Sequence, residues 1–150
     1  ANWIYGNCYP AYGLVQTRSD TEGADDELSM YLFEGKFYNE PTTFYRYALR
    51  LDGFRSYKST YKQQVLVTKP IVFTGSEMQL NFKTSAAGSI QVCILDENGN
   101  AIEGYTSQPL IGDNTDRVVP FEKKLSELNG VPVILQFTMC DAEIYSFVFQ

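Results

Sequence analysis

Residues 65–102 read VLVTKPIVFTGSEMQLNFKTSAAGSIQVCILDENGNAI. Met78, Leu80 and Phe82 alternate with Gln79, Asn81 and Lys83. After a small-residue break at Ser85-Ala86-Ala87-Gly88, Ile90, Val92 and Ile94 alternate with Gln91, Cys93 and Leu95. A side-chain period of two marks strands with one face in a core. Asn98-Gly99 between two such runs is a hairpin signal, because both residues tolerate positive φ. The stretch predicts an all-β fold: an antiparallel, jelly-roll-like β-sandwich with little or no helix.

Further strand patterns lie on either side of it. Downstream, Val133, Leu135, Phe137 and Met139 form one apolar face, and Tyr145, Phe147 and Phe149 another. Residues 123–130 (KKLSELNG) carry at most one helical turn, too short to be stable alone. Upstream, Leu28 to Phe33 reads as a short strand, and residues 43–52 (TFYRYALRLD) alternate again. Tyr45, Tyr47, Leu49 and Leu51 face one way there, and Arg46, Ala48, Arg50 and Asp52 the other. Cross-strand ion pairing is the favoured role for Arg46 and Arg50, ahead of holding a carboxylate ligand. Lys69-Pro70 removes a ladder donor, so the strand begun at Val65 belongs on an edge. The 150 residues fit one sandwich domain, with residues 1–42 as a candidate N-terminal arm.

Composition narrows the function classes. A net charge of −6 opposes binding to phosphate backbones and anionic membranes, so neither nucleic acid nor membrane is expected as a partner. No apolar run approaches the roughly 20 residues that span a bilayer. The chain has no histidine, which removes Ser-His-Asp and Cys-His catalysis and the usual zinc sites. No glycine-rich phosphate loop precedes a helix. The 18 acidic residues lie mostly in loops and single out no glycosidase pair. No catalytic residue, metal or cofactor is therefore expected. The Asp96-Glu97-Asn98-Gly99-Asn100 run imitates the start of a calcium loop but lacks its later ligands, so the hairpin reading prevails. Cys8, Cys93 and Cys140 leave open one disulfide plus a thiol, or three thiols, and the compartment stays open with them.

The candidate binding residues are aromatic. Trp3, Tyr5, Tyr38 and Tyr57 have the chemistry of platforms that stack on sugar rings, although aromatics serve more often as packing area. Carbohydrate is the small-molecule partner this pattern points to.

Several blocks carry a family resemblance. FYRYALRLDGFRSY (44–57), VTKPIVFTGSEMQLNFKTSAAGSIQVCILDENGNAIEGY (67–105), IGDNTDRVV (111–119) and DAEIYSFVF (141–149) resemble the C-terminal portion of large bacterial proteins related to glycoside hydrolase family 32. In those proteins a five-bladed β-propeller carries the active site and a β-sandwich packs beside it. ELSMYLF (27–33) resembles the segment leading from the last blade into the sandwich. The resemblance implies a non-catalytic accessory sandwich that stabilises or docks a propeller-type catalytic domain, in the same or a separate chain. The propeller's acidic motifs have no counterpart here, so no catalytic residue carries over. The alternative reading is a lectin-like carbohydrate-binding module.

Overall fold

The computed structural model describes residues 9–35 and 41–150. They are all-β and antiparallel apart from one short 3-10 turn. A boundary after Phe54 divides them into two compact units, each with its own sheet. The boundary falls beyond the arm anticipated at 1–42.

The first unit holds β1 (Tyr9–Pro10), β2 (Val15–Thr17), β3 (Glu27–Glu34) and β4 (Thr43–Arg50). β3 is central, with β4 along one edge and β1 and β2 end to end along the other. The β3–β4 register places Leu28 opposite Leu49, Met30 opposite Tyr47 and Leu32 opposite Tyr45, so one face is apolar. The other face carries the Arg46 network. Nε of Arg46 donates to Ser29 Oγ at 2.7 Å, Nη1 pairs with Asp20 at 2.7 Å, and Nη2 pairs with Glu27 on the adjacent strand. Nη2 also donates to Thr17 Oγ1 at 3.0 Å. The cross-strand pairing expected for Arg46 is thus present, with Ser29 fully buried beneath it.

Arg46→Met keeps the stem but strips these partners of their donor. It is expected to destabilise this sheet by about 1–3 kcal/mol, because Glu27 loses its partner and Ser29 keeps only the Thr17 hydroxyl. Amide exchange at Ser29 to Tyr31 measures it, and unchanged protection would remove the network from the account of what holds β2, β3 and β4 together.

The second unit contains β5 (Tyr57–Lys58), β6 (Gln64–Val67), β7 (Met78–Leu95), β8 (Ala101–Thr106), β9 (Asp113–Val118), a 3-10 turn at Leu125–Leu128, and β10 (Ile134–Phe149). Its spine is the antiparallel pair of β7 and β10, 18 and 16 residues long. The break expected at Ser85–Gly88 is a bend inside one strand, not the end of one. On one side of the bend the strand order is β5–β10–β7–β9; on the other it is β6–β10–β7–β8. Met78, Leu80 and Phe82 from the first half meet Ile90, Val92 and Ile94 from the second in one core cluster, so the sheet closes on itself as a sandwich. β6 is an edge strand that resumes after Pro70 as a single bridge, Ile71 to Val133, as the missing donor requires.

Two local devices make the bend. At Gly88 the backbones approach closely: a Cβ there would sit 2.7 Å from the Cys140 carbonyl oxygen and nearer still to that of Asp141. Opposite it, Asp141 adopts a left-handed φ of 43° in a bulge between Cys140 and Ala142. Ser59, buried, repairs the interrupted ladder: its N–H donates to the Ala142 carbonyl at 2.8 Å, and its Oγ accepts from the Ala142 N–H at 3.0 Å. The extra residue also changes which side chains point inward. Leu135, Phe137 and Met139 are buried before the bulge, and Ala142 and Ile144 after it. A second irregularity between Ile144 and Ser146 restores the odd positions, and Phe147 and Phe149 pack against the same core. Of the two apolar faces read from β10, Val133, Leu135, Phe137, Met139, Phe147 and Phe149 therefore share one inner face, and Tyr145 stands off it beside Glu143.

The hairpin after β7 forms as expected, with Leu95 opposite Ala101. Only Gly99 of the pair takes positive φ, 83°. The Asp96 carboxylate accepts from the Asn98 N–H at 2.9 Å and the Asn100 N–H at 2.8 Å. Those bonds, Asn100's first, hold its carboxyl below the usual range, so the oxygens that looked like calcium ligands close a turn instead.

Candidate functional site

Chemistry in the second unit gathers along β5. This two-residue edge strand is set by its register with β10, Tyr57 opposite Ile144 and Lys58 opposite Glu143. Extending the Lys58–Glu143 row across β7 and β9 adds Lys83, opposite Glu143, and Asp113, opposite Lys83. The outcome is a charge row of alternating sign over four strands. Lys58 Nζ lies 3.3 Å from Glu143, and Lys83 Nζ lies 3.4 Å from Asp113. Asp113 thus reaches across the ladder to Lys83.

Tyr145, at the second irregularity of β10, donates its hydroxyl to Glu143 at 2.7 Å. That bond is the main reason the Glu143 carboxyl sits below its ordinary value of about 4.5; burial opposes the shift, and Lys58 and then Lys83 add to it. A depressed carboxyl contributes stability that is complete above the unfolded-state value and is lost as pH falls through the folded-state value. Wild-type protein should therefore lose stability on acidification below about pH 4.5 more steeply than Glu143→Gln. Urea titrations from about pH 6 to about pH 3 test this, and parallel curves for the two proteins would refute it.

Three hollows lie along β5, two of them lined by Tyr57 and two by Lys58. One of about 290 Å3 lies among Arg55, Ser56, Tyr57 and Tyr145. A second, of about 180 Å3, is lined by Lys58, Lys83, Asp141 and Glu143 among others. A third, of about 160 Å3, is bounded by Tyr57, Lys58, Gln64 and Met139 with their neighbours. Tyr57 is 67% exposed, so its ring is available to a ligand.

Of the stacking residues anticipated from the sequence, Tyr57 is among the described residues, and it belongs to this site. Trp3, Tyr5 and Tyr38 lie outside the described residues, as does Cys8. Cys93 and Cys140 are free, half-buried thiols. Tyr145, Arg55 and the charge row were not foreseen as site residues. Tyr57 and Tyr145 are far apart in the chain, and only the β5–β10 register joins them. Other exposed aromatics, Phe44, Tyr45 and Tyr47, stand on β4. Among the described residues no three histidine, cysteine or acidic side chains converge as a metal site, and no helix is long and apolar enough to cross a membrane. Compared with protein-family models, curated proteins and solved structures, the chain matches none.

Proposed function

We propose that this chain is a non-catalytic accessory module of a carbohydrate-active, glycoside hydrolase-like protein, docking or stabilising a propeller-type catalytic domain. The observation that carries the reading is the apolar face of the first sheet. Leu28, Met30, Leu32, Tyr45, Tyr47 and Leu49 stand side by side on it. Yet among the described residues every buried apolar side chain belongs to residues 73–144. A sheet face of this composition is half of a core, and it gains its stabilisation when another surface covers it. The resemblance to family 32 sandwiches names that surface as the propeller.

The complete native reading frame, followed by co-purification, tests the reading. A propeller with acidic motifs, encoded with this chain and co-eluting with it, is expected to dissociate on Leu32→Lys or Tyr45→Lys. Co-elution unaffected by either change would sink the docking face. Hydrolysis of β-fructosides or aryl glycosides by this chain alone, abolished by changing one carboxylate, would sink the non-catalytic reading.

A second reading, sugar binding through exposed aromatics, is favoured by one observation: the exposed Tyr57 ring that lines two neighbouring hollows.

A further inference from the structure

We infer that the hollows along β5 bind an oligosaccharide bearing carboxylates, with Tyr57 as the stacking platform and Arg55 pairing with a sugar carboxylate. The inference rests on the sugar-binding reading and adds the class of sugar.

Size and arrangement favour a chain of small rings. Each hollow is at or below the roughly 300 Å3 where compact small-molecule pockets begin. The hollows of about 290 and 160 Å3 share Tyr57, so an elongated ligand with one ring on either side of Tyr57 fills them better than one bulky body. The platform is held in place. Tyr57 pairs with Ile144, and two residues later Ser59 is bonded to Ala142 through both its N–H and its hydroxyl. A ring fixed on a strand stacks at lower entropic cost than one on a loose loop. Ser56, Ser85 and Gln64 supply the polar edge that sugar hydroxyls require.

Charge favours an acidic sugar over a neutral one. The hollows are lined by three cations, Arg55, Lys58 and Lys83, and two carboxylates, Asp141 and Glu143. Asp113 balances Lys83 in the charge row, but the two hollows that share Tyr57 are lined by Arg55 and Lys58 and by no carboxylate, on a chain whose net charge is −6. Lys58 and Tyr145 already engage Glu143, and Lys83 engages Asp113. Arg55 makes no ion pair among the described residues. Its planar fork, beside the Tyr57 ring, matches a carboxylate bidentately. A phosphate polymer offers similar local chemistry, but the net charge of −6 repels a long polyanion more strongly than a short uronate oligomer.

The test titrates the intact chain with trimers of galacturonate and of mannuronate and with their methyl esters, which keep the rings and remove the charge. Calorimetry gives affinity, and amide shifts at residues 55–58 and 145 give location. At least one acid trimer is expected to bind about tenfold more tightly than its ester. Arg55→Ala should bring the acid to the ester's affinity, and Tyr57→Ala should weaken both forms. Both side chains are exposed, so both variants are expected to fold. Equal affinity for acid and ester would overturn the inference while leaving sugar binding intact. No binding of any trimer at about 10 mM would overturn both. Binding undisturbed by either substitution, or tighter binding of a thymidine trinucleotide at the same shifts, would also overturn the inference.

Discussion

Phe137→Ala is expected to destabilise the sandwich by about 3–5 kcal/mol, the range for removing a buried aromatic ring. Phe137 is 1% exposed and lies where the two halves of the folded sheet share their core. In the ladder it stands between Val92 of β7 and Leu66 of β6. Its ring centroid is 5.8 Å from that of Phe147, which reaches the core from the other side of the bend. Alanine therefore removes contacts to both halves at once and leaves a cavity that the paired backbones cannot close. Urea denaturation followed by tyrosine fluorescence should show a lower midpoint with an unchanged slope. A loss below about 1 kcal/mol would mean that the halves do not share this core.

Gly88→Ala should cost about 3 kcal/mol, for a different reason. No left-handed φ is involved; the obstacle is contact. The added methyl would enter space held by the carbonyl oxygens of Cys140 and Asp141, both of them backbone. Overpacking of this kind is relieved only by moving β7 from β10 where the ladder is already bulged. Ala87→Ser, one residue away on the exposed side of the bend, serves as the control and should fall within about 0.5 kcal/mol of wild type. Equal stabilities for the two variants would show that the bend does not depend on this close approach.

The legible parts of the fold share one property: each depends on neighbours in the chain. Alternation at Met78, Leu80 and Phe82, and again at Ile90, Val92 and Ile94, revealed inward faces because a strand's period is local. The Asn98-Gly99 hairpin and the opposed faces of β4 were readable for the same reason. The bend was not. Small residues at 85–88 signal an interruption, but whether a strand ends there or folds over depends on the backbone packed against Gly88. That backbone belongs to residues 140 and 141, more than 50 positions later.

The candidate site divides in the same way. Tyr57 was identifiable as an aromatic in a polar stretch, and the lack of histidine removed histidine-dependent triads. Composition and alternation thus determined an all-β sandwich and the residue types available to it. Tertiary structure decided which of those residues meet. One bulged residue, Asp141, reverses the inward parity of β10, and whether the step from Met139 to Ala142 is a bulge or a strand end depends on the strand packed against it. The two-residue pairing of β5 then places Tyr57 and Lys58 beside Ile144 and Glu143, and with them Tyr145. Register is a property of two strands together, so neither segment alone contains it.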